Sequence, residues 1–278
     1  MPELPEVETV VRDLRKLGVP GRKITGVRIR WCGAIEAPAP ARLVALVVGR
    51  RINSISRRGK YIIFELSSGQ HLLVHLRMTG RLSLHNPDEP GDCHQHVILS
   101  LDDGRELRFR DPRKFGRWLL TRDAATILGK MGPEPLATDF TLCRFRAVLS
   151  RHTGRIKPLL LDQRVIAGLG NIYADEALWE AGIHPLRRCG TLSLAEQKQL
   201  YKAIRAVLRR AIQARGTSLG TGSTNFHTAT GDLGKNQGRL RVHARAGWPC
   251  PRCGTRIERL VVGQRSTYVC RNCQKNGG

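Results

Sequence analysis

The chain has 278 residues, with 47 Lys and Arg against 23 Asp and Glu, a formal charge of +24. That length allows about two domains, each with its own core. A charge this large exceeds what solubility needs and points to a polyanionic partner, most simply nucleic acid. The longest apolar stretches, such as Leu43 to Val48, are too short to span a bilayer, and no basic-then-apolar leader opens the chain. The expected setting is therefore cytoplasmic, with the eight cysteines reduced or metal-bound rather than paired as disulfides.

The chain opens Met1-Pro2-Glu3-Leu4-Pro5-Glu6. Removal of Met1, expected before a small second residue, makes the Pro2 nitrogen a free secondary amine with two carboxylates, Glu3 and Glu6, within a helical turn. An amine beside an acid is the minimum equipment for attacking a sugar carbon and forming a Schiff base. The plainer reading is a processed start in which Pro5 opens a helix. Apolar positions Val7, Val10, Val11, Leu14 and Leu17 predict that helix over 5–17, with Gly18 as its stop.

From about 24 to 121 short β-branched runs recur: Ile24–Trp31, Leu43–Val48, Tyr61–Leu66, His71–Leu76, His96–Leu101, Glu106–Arg110 and Arg117–Thr121. Turn signals at Ser67-Ser68-Gly69 and Asp102-Asp103-Gly104 separate several of them, which reads as a β-sandwich or barrel. The stretch Lys130 to Pro135 reads as a linker. Beyond it the period becomes helical. Phe140, Phe145, Val148 and Leu149 fit one helix, and Ile172 to Ala181 fit another. Ser193 to Arg215 carries an apolar face of Leu194, Leu200, Tyr201, Ile204, Val207, Leu208 and Ile212. Ser193 with Glu196 forms its capping box and Gly216 follows its end. Lys198, Lys202, Arg205 and Arg209 line the other side and read mostly as a solvated face. Residues 216 to 238 are polar and aperiodic, the pattern of a functional or disordered loop.

Two motifs carry chemistry by spacing alone. Cys250-Pro-Arg-Cys253 and Cys270-Arg-Asn-Cys273 have the arrangement of a four-cysteine structural zinc site, implying one Zn²⁺ per chain and no position left for a catalytic water. Cys32, Cys93, Cys143 and Cys189 lack such spacing and read as ordinary buried thiols. The run from Gln163 to Glu176 places a glycine-rich turn before a helix, whose backbone N–H groups can hold a phosphate oxygen; Asn171 is placed at the cap. Gly168 and Gly170 can equally serve only a tight turn.

Pro2-Glu3-Leu4-Pro5-Glu6-Val7-Glu8-Thr9, Arg58-Gly59-Lys60-Tyr61, His75-Leu76-Arg77-Met78-Thr79-Gly80, Asp111-Pro112-Arg113-Lys114-Phe115-Gly116, Gly168-Leu169-Gly170-Asn171-Ile172-Tyr173-Ala174 and the terminal zinc motif occur in this order. Together they closely resemble the bacterial formamidopyrimidine-DNA glycosylases, within the formamidopyrimidine glycosylase/endonuclease VIII family, over essentially the whole chain. The resemblance implies an α+β fold: a β-sandwich with a leading helix (1–130), a linker (131–138), a helix-two-turn-helix region with a mobile loop at 216–238 (139–238), and a zinc-finger hairpin (239–278). It implies a monomeric DNA glycosylase and abasic-site lyase, acting at the bacterial nucleoid on double-stranded DNA that carries oxidised purines or abasic sites.

By the same resemblance Pro2 is the nucleophile, Glu3 the proton donor and shuttle at the sugar, and Glu6 a positioning group. Lys60 assists base release or elimination and binds the flanking phosphate; Arg265 binds phosphate and serves δ-elimination. His75, His94, Arg113, Arg151, Lys157 and Asn171 fall at DNA-contact positions. Met78, Arg113 and Phe115 match a triad that fills the hole left by a flipped base; without the resemblance Met78 and Phe115 read as core. Two departures stand out: Lys235 and Asn236 precede Gln237 where relatives carry aromatic residues, and His243-Ala244-Arg245 replaces Tyr-Gly-Arg. The first puts lesion preference in doubt and the second one phosphate contact. The alternatives are an endonuclease VIII-like glycosylase for oxidised pyrimidines, or a DNA-binding zinc protein without catalysis.

Overall fold

The computed structural model describes residues 1–220 and 225–276. The chain forms two compact units: residues 1–130 with 214–237, and residues 131–213 with 238–278. Among the described residues no helix is long and apolar enough to cross a membrane.

The first unit opens with α1 (Leu4–Lys16), where Pro5 lies in the first turn and Leu4, Val7, Val10, Val11 and Leu14 are buried. The strands that follow are β1 (Ile24–Ile29), β2 (Ile35–Ala37), β3 (Ile52–Arg58), β4 (Tyr61–Leu66), β5 (His71–His75), β6 (Arg81–His85), β7 (Gln95–Leu101), β8 (Glu106–Arg110) and β9 (Arg117–Thr121). They make two sheets, ordered β1-β7-β8-β6 and β2-β9-β5-β4-β3. All pairings are antiparallel except β2 with β9. Leu82, Val97, Leu99, Leu107 and Phe109 of one sheet share a core with Ile55, Ile62, Phe64, Leu72, Val74 and Trp118 of the other. The architecture is the expected sandwich of alternating strands with buried inner faces. Segment 214–237, which the sequence groups with the helices, packs in this unit.

One strand is replaced. Leu43 to Val47 lie within α2 (Pro40–Val47) and Val48 is its C-cap, with Leu43 and Val47 buried and Pro40 in the first turn. The apolar pair spaced by four fits a helix face, and proline preset the helical start; the valines suggested a strand only because short apolar runs do not separate the two periods. A short α3 (Ala125–Leu128) closes the segment.

The second unit holds α4 (Leu142–Ser150), α5 (Ile156–Leu161), α6 (Asn171–Glu180), α7 (Leu194–Gln213) and the hairpin β10 (Glu258–Val262) with β11 (Arg265–Val269). Ser193 and Glu196 make the capping box of α7: the Ser193 N–H donates to Glu196 Oε2 at 2.8 Å, and the Glu196 N–H to Ser193 Oγ at 3.2 Å. Leu200, Ile204, Val207, Leu208 and Ile212 are buried as expected, whereas Leu194, in the first turn, is 65% exposed. Arg205 leaves the solvated face: its guanidinium donates to the carbonyls of Pro135 and Ala137 and so fixes the segment before α4. Cys189 is buried, but Cys32, Cys93 in the turn before β7 and Cys143 in the first turn of α4 are exposed, so the buried reading fails for these three.

Candidate functional site

At the start of α1 Pro2 is buried, Glu3 and Glu6 are each 1% exposed, and Met1 is 48% exposed. Glu3 is the N-cap. Glu6 is committed on both oxygens: Oε2 accepts the Glu3 N–H at 2.8 Å and Oε1 the Thr217 N–H at 2.7 Å. These bonds satisfy a helix-start donor and fasten residue 217 to the helix. A buried carboxylate holding two backbone donors orients its neighbours and is poorly placed to exchange protons.

Lys60 lies beside α1 through Arg57. Residues 59 and 60 form the two-residue turn between β3 and β4, where Arg58 pairs with Tyr61. Arg57 Nε donates to Glu8 Oε2 at 3.0 Å, and its Nη1 to the Gly59 carbonyl at 3.0 Å. Burial pushes the Glu8 carboxyl up, but the hydrogen bonds from Arg12 and Arg57 outweigh it and leave Glu8 lowered. The turn that carries Lys60 is thus tied to the helix that follows Pro2. Lys60 itself is 5% exposed.

His75, at the end of β5, accepts the Arg77 N–H on Nδ1 at 2.9 Å and meets the Tyr61 ring edge-on, 4.7 Å between centroids. Burial, then the positive charges of Arg77 and Lys60, hold it down to about 3. A neutral ring with Nδ1 used as acceptor carries its hydrogen on Nε2, so His75 is a fixed donor. The unfolded chain takes up a proton near pH 6.5 that the folded ring refuses until about pH 3. Stability through this group is therefore complete above the unfolded value and falls as pH drops across that window. Urea midpoints at pH 8 and pH 5 should separate more for the wild type than for His75→Gln; equal separations would mean that the imidazole titrates normally.

Met78 and Phe115 are 38% and 43% exposed, so the core reading of these two side chains fails. Arg113 lies over the Phe115 ring at 4.8 Å. His94 is half-buried, and its carbonyl accepts the Asp111 N–H.

In the second unit Arg265 opens β11 and is exposed at the tip of the zinc hairpin. The two-residue turn before it, Gly263-Gln264, has φ of +56° and +61°, the left-handed pair that joins twisted strands tightly. Arg151 is exposed at the C-terminal end of α4. Gly170, not Asn171, caps α6; Asn171 is its first residue, and its Nδ2 donates to the Ser266 carbonyl at 2.9 Å. Lys157 is fully buried. Its Nζ reaches Asp175 Oδ1 at 2.6 Å, Thr267 Oγ1 at 2.7 Å and the Ser266 carbonyl at 3.2 Å. In this arrangement it fastens the Arg265 strand to α5 and α6 and does not present its ammonium to solvent. His243 Nδ1 lies 2.8 Å from Asp175 Oδ2, so the histidine that replaces tyrosine joins the same buried network.

Asp175 and Glu176 were missed by sequence reasoning. Glu176 accepts the N–H groups of Arg241, Val242 and His243 at 2.8, 2.9 and 2.9 Å. Burial still leaves its carboxyl raised. The available signal was a pair of adjacent acids inside an otherwise apolar helix, since buried charges need partners.

The four sulfurs of Cys250, Cys253, Cys270 and Cys273 lie within 4.8 Å of one another, with pairs at 3.9 and 3.4 Å. A tetrahedron with Zn–S bonds of about 2.3 Å has edges of about 3.8 Å. Hydrogen bonds from Thr255 and Asn272 draw Cys253 down to about 5, while burial and the neighbouring thiols push Cys273 up. Four thiolates cannot coexist here without a cation, and a dication removes that conflict. Trp179 Nε1 donates to Cys250 Sγ at 3.4 Å, a supporting bond of the kind that orients a metal ligand. The donor set fits one structural zinc.

Three family models match: the formamidopyrimidine-DNA glycosylase N-terminal domain over residues 1–118, the formamidopyrimidine-DNA glycosylase H2TH domain over 131–223, and the zinc finger found in FPG and IleRS over 247–276. The formamidopyrimidine-DNA glycosylase of Herpetosiphon aurantiacus is 50% identical over 99% of this chain and 100% of its own length. That of Protochlamydia amoebophila is 46% identical over 99% and 100%. Among solved structures, Lactococcus lactis Fpg with abasic-site DNA superposes with a TM-score of 0.90 at 38% identity, covering 98% of this chain and 99% of that one. The MutM (Fpg) protein of Thermus thermophilus gives 0.89 at 40% identity over both full chains. On these matches the chain belongs to the formamidopyrimidine-DNA glycosylase family.

Proposed function

We propose that Pro2, once Met1 is removed, is the nucleophile of this enzyme, with Glu3 moving protons at the sugar. The chain is a bifunctional DNA glycosylase and abasic-site lyase of base excision repair, and DNA is its partner. The observation that supports the residue assignment is the start of α1: Pro2 is buried directly before Glu3, the N-cap whose carboxylate caps the helix, with Glu6 held one turn on by two backbone N–H groups.

The chemistry follows from the amine. A damaged purine must leave the stack before its glycosidic bond can be reached. The Pro2 nitrogen bonds to C1′ as the C1′–base bond breaks, and the departing base takes a proton. The C1′–O4′ bond then opens, O4′ receives a proton from Glu3, and an iminium remains. An α-amine has a reference pKa of about 8, so a useful fraction is unprotonated near neutrality. The iminium acidifies C2′; loss of that proton expels the 3′ phosphate, and loss of the C4′ proton then expels the 5′ phosphate. Lys60 offers its cation to the flanking and leaving phosphate. Arg265 is assigned to the phosphate lost by δ-elimination. Asn171, His75, His94 and Arg151 are assigned to the backbone, and Met78, Arg113 and Phe115 to the gap in the stack. Lys157 serves by holding β11 in place. Zinc supplies the fold of the hairpin and takes no part in the reaction.

Oxidised purines, 8-oxoguanine and formamidopyrimidines, in double-stranded DNA are the proposed substrates, processed by a monomer in the cytoplasm. The Pro-Glu-Leu-Pro-Glu opening supports this over an oxidised-pyrimidine enzyme. Asn236 is buried and donates to Thr217 Oγ1, so the unusual pair before Gln237 supports the base of the 216–238 loop; Thr221 to Thr224 lie outside the described residues. Duplexes carrying 8-oxoguanine, formamidopyrimidine or oxidised thymine, cleaved side by side, should rank the two purine lesions first. Preference for the oxidised thymine would replace this reading with the endonuclease VIII type.

A further inference from the structure

The side chains assigned to the gap in the stack come from two separate loops. Residues 76–80 link β5 to β6 and carry Met78. Residues 111–116 link β8 to β9 and carry Arg113 and Phe115. Both loops cross between the sheets, since β5 and β9 belong to the five-stranded sheet and β6 and β8 to the four-stranded one. They cross at the same end, because β6 and β8 pair with Arg81 opposite Arg110.

One buried side chain joins them. Asp111 is 0% exposed. Its Oδ1 accepts Thr79 Oγ1–H from the first loop at 2.5 Å and the Arg113 N–H at 3.3 Å. Its Oδ2 accepts the Gly116 N–H at 2.7 Å. Its carbonyl accepts the Lys114 N–H at 3.1 Å and faces His96 Nε2 at 2.9 Å. The carboxylate therefore grips the residue after Met78 and the residues on both sides of Phe115. Gly116 allows this approach: a Cβ there would meet Phe109 at 2.3 Å and Asp111 Oδ2 at 3.2 Å. The first loop is closed on its own side by the Gly80 N–H to Leu76 carbonyl bond at 3.0 Å, with Arg77 in the left-handed region at φ +53°.

We infer that Asp111, through Thr79, is a positioning residue that sets the spacing of the Met78 loop against the Arg113–Phe115 loop, and so governs base extrusion rather than the chemistry at the sugar. Exposed apolar side chains on two loops can enter one gap only if their separation is fixed beforehand, and a charge-assisted hydrogen bond in a buried setting is a short, directional way to fix it. The inference rests on the assignment of Met78, Arg113 and Phe115 to the stack.

The test uses the full chain with zinc bound. Thr79→Val removes the hydroxyl donor at nearly constant volume, leaving Asp111 its two backbone donors, and Thr79→Ser keeps the donor. Stack opening is followed by 2-aminopurine fluorescence beside an 8-oxoguanine, and chemistry by borohydride trapping on a single-stranded abasic oligonucleotide. Loss of one hydrogen bond to a charged group should slow opening by about tenfold in Thr79→Val. Trapping should be unchanged, and Thr79→Ser should recover the opening rate. Met78→Ala is the control for the underlying assignment. If Met78→Ala slows opening and Thr79→Val does not, the role of Asp111 is overturned alone. If neither slows it, the stack assignment falls and this inference with it. Equal losses of opening and trapping in Thr79→Val would mean a general structural role and would also overturn it.

Discussion

Protein that retains Met1 should give no borohydride-trapped complex with abasic or 8-oxoguanine DNA, while processed protein of the same sequence should trap efficiently. Behind Met1 the Pro2 nitrogen is a tertiary amide with neither a hydrogen nor a basic lone pair, so it cannot become an iminium. The expected loss is about 10⁴-fold or more, the scale seen when a covalent nucleophile is removed. Lesion-DNA affinity should survive, because Lys60 in its turn, His75 at the end of β5 and the exposed Met78 and Phe115 on their loops keep their places. Intact mass distinguishes the two forms before the assay. Trapping by the Met1-bearing form would move the nucleophile to another amine, a lysine or the Met1 α-amine, and remove the role given to Pro2.

The second large effect is expected at the metal. Cys253→Ala should lower zinc from about one per chain to none and release residues 239–276 to proteolysis. Structural zinc contributes on the order of 10 kcal/mol or more to a domain this small. Among the described residues the local core there is Trp179, Val242, Cys250, Ile257 and Cys270 with the half-buried Tyr268 and Cys273, too little to replace it. Damage should spread to Arg265, whose strand is held by Lys157 through Thr267, and DNA affinity should drop by about two orders of magnitude as a phosphate contact and its scaffold are lost together. Chelation of the wild type should reproduce this result. A metal-free protein with an intact, protected hairpin would refute the zinc assignment.

The zinc ligands were legible because tetrahedral thiolate chemistry imposes a spacing that few other demands produce. The sandwich was legible wherever strands alternated and turn residues were explicit, as at Gly69 and Gly104. It was lost at Leu43–Val48, where a short apolar run satisfies a helix and a strand equally well. Glu6 was expected to be a positioning group, yet what it holds was not legible, because its partner at Thr217 is 211 residues away and no local pattern announces such a pairing. Lys157 shows the same limit in reverse. The resemblance puts it at a phosphate contact, and only the fold brings the Asp175 carboxylate, 18 residues on, beside its ammonium. Asp111 stood inside a recognisable motif, but what it grips became visible only when two loops from different sheets were seen side by side.

The bond between Glu6 and Thr217 sets a schedule for synthesis. Residues 1–130 leave the ribosome early, but the sandwich unit also includes 214–237, so it cannot be finished until more than three-quarters of the message has been read. Chains emerge at about 5–20 residues per second, and for several seconds the Pro2 end exists without the Thr217 N–H that Glu6 accepts. An unfinished chain thus lacks one bond at the start of α1, and a truncation anywhere before residue 217 yields a fragment that keeps Pro2 but lacks the contact that seats the Glu6 carboxylate beside it.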